Sequence, residues 1–282
     1  WADRKDKADI EKSWKILPQN DFSGHCEDVM SVMYCPQNNL IYTGAHDGTL
    51  IAWSFETGYI KQYLHDFDQT CTAKDYIQQS KSVDQILVMD EQPKKNNEKL
   101  LSMTADQVLR FWSLDVLTTK EQPCFKIHCK HPNEDGLSAI ATTKDNKTLV
   151  TGDTSGNMKA WDISGVDFDD QTTSNKFNEL YFIIAHRSTI NSIVIVENSN
   201  IKTGKFIVTA GNDCNILLHQ LETGVRIGKF GQHKGWSIND LSKYEDVKPR
   251  YVREWYLKLK SRLHNMKLKI ERERQRAKEA EE

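Results

Sequence analysis

A plan repeated along a chain constrains its fold more than any single motif, because a unit that cannot bury its apolar face alone must stack on its neighbours. Four segments here share such a plan: a β-rich run, a turn holding a polar residue, and a second run ending in a large ring. They are Leu40–Trp53, Leu100–Trp112, Leu149–Asp162 and Phe206–His219. In the first two, an Asp (Asp47, Asp106) stands six residues before the Trp (Trp53, Trp112). The third has Ser155 at that offset before Trp161, and the fourth keeps Asp213 but carries His219 at the ring position. A His precedes three of the units, with a Ser six or seven residues later: His25 and Ser31, His131 and Ser138, His186 and Ser192.

Four units in phase, with Gly24-His25 and Trp161-Asp162 both intact, resemble the WD-repeat pattern from about residue 14 to 231. The resemblance implies an all-β WD-repeat β-propeller of four-stranded blades. It also implies a buried hydrogen-bond chain in each blade, from His to turn Asp to second-strand Ser or Thr to third-strand Trp. That assigns His25, Asp47, Thr43 and Trp53 to a complete chain in the first unit. Ser102, Asp106 and Trp112 belong to a second unit that has no evident His and is expected to be the less rigid blade. His131, Thr151 and Trp161 belong to the third. His186, Asp213 and Thr209 belong to a fourth that lacks its indole donor. Buried polar groups must be paired, so these residues read as a building device and not as a row of active sites.

The expected organisation is a blade end at 1–24, blades at 25–65, 66–130, 131–187 and 188–236, a linker at 237–246 and a C-terminal helix at 247–282. Ring positions lie 59, 49 and 58 residues apart, against a usual period of about 40–45. The excess falls in polar stretches at 91–99, 165–176 and 197–205, expected to be rim loops where partners dock. Trp1-Ala2-Asp3 reads as the end of a third strand, so residues 1–24 are expected to close a blade that begins upstream. On this reading four blades and a remnant are part of a larger propeller, whose open edge is covered by upstream blades or by a partner.

Two segments carry a narrower resemblance. Ser80–Val88 and Gly224–Gln232, with Trp236 soon after, look like the large cilia- and flagella-associated WD-repeat proteins, some of which carry EF-hands. That likeness implies an axonemal scaffold on microtubules. No EF-hand loop occurs in this sequence.

After Gly235 the strand pattern stops. Val252, Trp255, Leu259, Leu263, Met266 and Ile270 fall at spacings of 3, 4, 4, 3 and 4, one apolar stripe on a helix. Lys258, Lys260, Arg262, Lys267 and Lys269 fill its other faces, and from Glu271 through Arg272 onward the helix is almost wholly charged. Residues 248–278 hold 12 Lys/Arg against three Glu in a chain whose net charge is -2, so a basic element follows an acidic body. The stripe packs back on the propeller or pairs with another protein's helix, and the basic faces suit an acidic surface such as tubulin. Nucleic acid fits poorly, since no aromatic residues interleave with the final cations.

The six cysteines form no dense framework, so reduced thiols are expected in the cytoplasm or cytoskeleton. No apolar run reaches the 18 or so residues of a membrane span. Cys124, His128, Cys129 and His131 lie within eight residues, but alternation along a strand splits them between two faces, so no metal is expected. With no phosphate loop and no nucleophile elbow, the expectation is no enzyme, no cofactor, no small-molecule substrate and no membrane. The expected function is a non-catalytic scaffold binding axonemal proteins and tubulin in the cilium. The alternative is a soluble adaptor in a ubiquitin-ligase or other cytosolic complex.

Overall fold

In the computed structural model, residues 24–66, 82–89, 99–104, 106–114, 122–132, 136–197, 204–238, 240–241 and 244 are described. The expected blade end at 1–24 (apart from Gly24) and the helix at 247–282 lie outside them. So do Cys71, the expected tail-binding residues Trp255, Lys258, Leu259, Arg262, Leu263, Met266, Lys267, Ile270 and Arg272, and most of the insertions at 91–99 and 197–205.

Among the described residues, sixteen strands build four antiparallel sheets of four, each in sequence order. The first holds β1 (Val29–Cys35), β2 (Leu40–Ala45), β3 (Leu50–Ser54) and β4 (Ile60–Leu64). The second holds β5 (Val83–Met89), β6 (Lys99–Thr104), β7 (Val108–Ser113) and β8 (Phe125–His128). The third holds β9 (Leu137–Thr142), β10 (Thr148–Asp153), β11 (Asn157–Asp162) and β12 (Asn178–Ile184). The fourth holds β13 (Ile190–Val196), β14 (Phe206–Gly211), β15 (Ile216–Gln220) and β16 (Arg226–Lys229). These ladders are the four expected blades.

The sheets stack in sequence, each first strand packing on the first two strands of the preceding sheet. Each sheet therefore has a leading face toward its predecessor and a trailing face toward its successor. Cores form between sheets and not within them, as the two-sided burial of these strands requires. Val83, Ile86, Leu100 and Trp112 of the second sheet close on Cys35, Tyr42, Leu50 and Ala52 of the first. Leu137, Ile140, Leu149 and Trp161 close on Leu101, Met103, Leu109 and Phe111. Ile190, Ile193 and Ile207 close on Val150, Met158 and Ala160. Polar clamps tie the first strands together: Gln85 exchanges two hydrogen bonds with the Ile140 backbone, and Ser138 donates to the Ile190 carbonyl at 2.7 Å.

The first sheet differs in one respect. Pairing register aligns Val29 and Val32 with Val83 and Ile86, with Leu137 and Ile140, and with Ile190 and Ile193. Val83 and Ile86 are 2% and 3% exposed, whereas Val29 and Val32 are 54% and 68% exposed. The first sheet thus presents a leading face of the kind its three successors bury. Past the fourth sheet, Trp236, Ile238, Leu241 and Tyr244 cover Phe206, Leu218 and Ile227 of its trailing face.

The insertion at 165–176 is not a free rim loop. It folds back across the second sheet, with a 3-10 helix at Gln171–Lys176 capped by the Asp170 side chain. Phe168 stacks on Phe111 with ring centroids 4.2 Å apart and meets Phe125 edge-on. Gln171 pairs with both backbone groups of Lys126, and Asp169 binds the buried Lys99 ammonium. An apolar ring and a buried cation made this polar stretch part of the core.

Candidate functional site

The repeated polar chain runs directly from His to carboxylate in the third sheet, and through an added hydroxyl in the first. Fully buried His131 lies in the connection before β9, and fully buried Asp153 ends β10. His131 Nδ1 lies 2.9 Å from Asp153 Oδ2, and Nε2 lies 2.8 Å from Thr151 Oγ1. A carboxylate only accepts, so Nδ1 carries the proton and Nε2 accepts from the Thr151 hydroxyl. Thr151 in turn accepts from Trp161 Nε1 at 3.0 Å. Asp153 also accepts from the Ser155 and Asn157 backbone amides and from the Asn157 side chain at 2.8 Å. Ser155, standing where the other units carry Asp, is only a turn residue.

The same turn frame explains the displacement. Counting from Thr43 and Thr151, Asp47 aligns with Ser155, while Asp153 aligns with Ala45. The carboxylate has moved two positions back without changing the turn length. In the fourth sheet this earlier position is Gly211, where a Cβ would stand 2.6 Å from His186 Nδ1, so the carboxylate must come from Asp213. His186 Nδ1 donates to Asp213 at 2.9 Å, and Nε2 accepts from Thr209 at 2.8 Å. Burial works to raise the Asp213 carboxyl, but hydrogen bonds from His186, Asn215 and the Arg187 amide outweigh it and hold it far below the usual range.

The first sheet's chain carries an extra member. His25 Nδ1 is 3.9 Å from Asp47, too far for a hydrogen bond, and donates instead to Thr49 Oγ1 at 2.9 Å. Thr49 passes its own proton to Asp47 at 2.6 Å. The remainder follows expectation: Thr43 donates to His25 Nε2 at 2.6 Å and accepts from Trp53 Nε1 at 2.7 Å.

In the second sheet Trp112 Nε1 donates to Ser102 at 2.8 Å. Its carboxylate is held by a cation in place of a His. Arg110 Nη2 donates to Asp106 Oδ2 at 2.9 Å, and Nη1 donates to Thr104, which binds Asp106 as well. Arg110 Nε reaches Asp66 at 2.6 Å, and Asp66 also takes Lys126. A basic residue four positions after the turn Asp was the available sign of this arrangement.

His219, at the fourth ring position, donates from Nδ1 to the Gly224 carbonyl at 3.3 Å, and its buried Nε2 has no partner. Burial lowers its pKa to about 4, and burial lowers that of His131 as well. The unfolded imidazole titrates at about 6.5, so between the two values the unfolded chain binds more protons. Stability is expected to fall as pH drops from about 6.5 toward about 4. Unfolding midpoints at stepped pH check this. A midpoint constant or rising over that window would contradict it, and His219→Gln should flatten part of the slope.

The four His and Cys residues around β8 do not converge. Cys124 Sγ donates to the Phe111 carbonyl, His128 Nδ1 accepts from the Lys130 amide, Cys129 is buried in the core and His131 belongs to its chain. Among the described residues no cluster of three or more His, Cys, Asp or Glu is placed to hold a metal. Cys26, Cys124, Cys129 and Cys214 are free thiols.

Repeated four-stranded sheets stacked face to face, each with a hydrogen-bonded carboxylate where its second strand turns into its third, define a WD-repeat β-propeller array. Residues 17–54 match the family model of the WD domain, G-beta repeat, and the four-sheet fold is consistent with a WD-repeat propeller. No curated protein matches it. Among solved structures, the computationally designed Ika4 protein aligns at 17% identity and TM-score 0.47, covering 71% of this chain and 96% of its own. The computationally designed Ika8 protein aligns at 17% identity and TM-score 0.49, covering 76% of this chain and 52% of its own. WD-repeat domains generally bind other proteins and are generally non-catalytic.

Proposed function

We propose that this chain is a non-catalytic scaffold of the ciliary or flagellar axoneme, binding axonemal proteins and contacting microtubules through its basic tail. The observation that carries the non-catalytic part is the engagement of the chains. His25, His131 and His186 are each hydrogen-bonded through both ring nitrogens inside a blade, so none is free to act on a substrate. The axonemal address is supported by the likeness of Ser80–Val88 and Gly224–Gln232 to ciliary WD-repeat proteins. The tubulin contact is supported by the net +9 of residues 248–278. The exposed leading face at Val29 and Val32 is the surface on which a further blade or a partner sits.

Microtubule co-pelleting tests the tail. Ending the chain at Asp246 is expected to weaken pelleting by about tenfold or more at low salt, and the intact chain should release as salt rises. Equal pelleting of the two would sink the tubulin contact. Recovery of the protein in salt-washed cilia supports the axonemal reading, and its absence from cilia favours the cytosolic adaptor.

A further inference from the structure

We propose that the cleft between the third and fourth sheets is a docking site for the acidic side chains of a protein partner. This rests on the reading of the chain as a binder of proteins. The cleft has a volume of about 580 Å³ and opens between the end of β12 and the outer strands β15 and β16. Arg187, Arg226 and Lys229 line it. Its one carboxylate, Asp213, is already bound by His186 and by the Arg187 and Asn215 amides. Among the described residues, no carboxylate pairs with any of the three cations.

The chain shows what such a cleft takes, because it fills the matching one itself. Register aligns Lys229 with Lys126, since Leu217 and Arg110 occupy the same position on the third strands of their sheets. Register also aligns Ala185 with Asp66, each two residues beyond the aligned Ile183 and Leu64. Between the first and second sheets, Asp66 reaches from the end of β4 and binds both Arg110 and Lys126. Between the third and fourth, the same position is Ala185, which also lines the cleft and brings no charge. At the remaining junction Lys159 is met by Glu179 at 2.9 Å and by the Lys130 carbonyl. Glu179 aligns in register with Arg226, so the sign is reversed where the cleft is open. Three cations around a half-enclosed space raise the local potential for a carboxylate. A single exposed ion pair is weak, so an acidic run able to meet two or three of these cations is the fitting ligand.

A fluorescein-labelled octaglutamate peptide serves as the probe on the full chain at low ionic strength. Carbodiimide coupling, which joins only touching carboxylates and amines, then maps the contact by mass spectrometry. The expected result is peptide adducts on Lys229. Ala185→Asp supplies the missing carboxylate in place and should reduce those adducts by at least about tenfold while leaving adducts on the tail lysines unchanged. Arg226→Glu should do the same, and Arg226→Lys should retain them. Thermal unfolding of each variant confirms that the fold is kept. Lys229 adducts that are absent, or equal in the unchanged chain, Ala185→Asp and Arg226→Glu, would overturn the proposal. Adducts confined to the tail would remove this cleft while leaving the scaffold reading standing, since co-pelleting decides that separately.

Discussion

Replacing Asp153 with Ala is expected to cost about 3–5 kcal/mol of stability, more than the about 1–3 kcal/mol expected for Asp47→Ala. Asp153 is fully buried and accepts four hydrogen bonds, from His131 Nδ1, the Ser155 and Asn157 amides and Asn157 Nδ2. Alanine leaves all four donors without an acceptor in a place water does not reach, and each such donor costs about 1–3 kcal/mol unless the structure relaxes. His131 also loses the carboxylate that fixes its tautomer, and with it the alignment of Thr151 and Trp161. Asp47→Ala strands three donors, the Cys26 and Thr49 amides and the Thr49 hydroxyl, but Asp47 is less deeply buried and Thr49 can still accept from His25, so the imidazole keeps a partner. Asp153→Asn should fall between, since an amide oxygen can accept from part of the set while its NH2 group faces another donor. Urea unfolding followed by tryptophan fluorescence measures the difference, with the Asp153→Ala midpoint expected about 1–2 M below that of the unchanged chain. A loss no larger than that of Asp47→Ala would show that the third sheet does not depend on its chain.

The four sheets were legible because each repeats a polar turn at a set distance from a ring, and that spacing survives every insertion. The chemistry inside the turns was less legible. Counting back six residues from Trp161 leads to Ser155, although a carboxylate two residues earlier serves the same imidazole. A turn frame fixes where the backbone goes, and more than one of its positions can reach the His. Thr49 escaped notice for the related reason that a hydroxyl beside an Asp is ordinary in a turn. Arg110 and Asp66 were invisible to repeat counting because their partnership spans two sheets and 44 residues. Ala185 carries the opposite lesson: an alanine marks a missing carboxylate only by comparison with Asp66 at the matching position. Hydropathy misjudged the insertion at 165–176 because a mostly polar loop needs only one well-placed ring to become part of a core.

That ring gives the second large expected effect. Phe168→Ala should destabilise the chain by about 3–5 kcal/mol, the range of a buried phenylalanine removed from a packed core. Phe168 is 8% exposed and lies against Phe111 and Phe125, which are fully buried. The stacked and edge-on pairs add to the area it buries. The hole would open against Phe111 and Phe125, in the core cluster that the second and third sheets share. The loss should extend beyond the cavity. Phe168 anchors the segment that delivers Asp169 to the buried Lys99 and Gln171 to the backbone of β8, the edge strand of the second sheet. With the anchor gone, Lys99 is left as a buried cation whose counter-charge has been freed to move into solvent. Phe168→Leu keeps much of the volume and should cost about half as much. Hydrogen exchange separates this account from a simple surface loop: faster exchange is expected at Lys126 and along β8 in Phe168→Ala, while β14 and β15 of the fourth sheet keep their protection. Stability and exchange unchanged within error would mean that the insertion is only draped on the second sheet and contributes nothing to holding it.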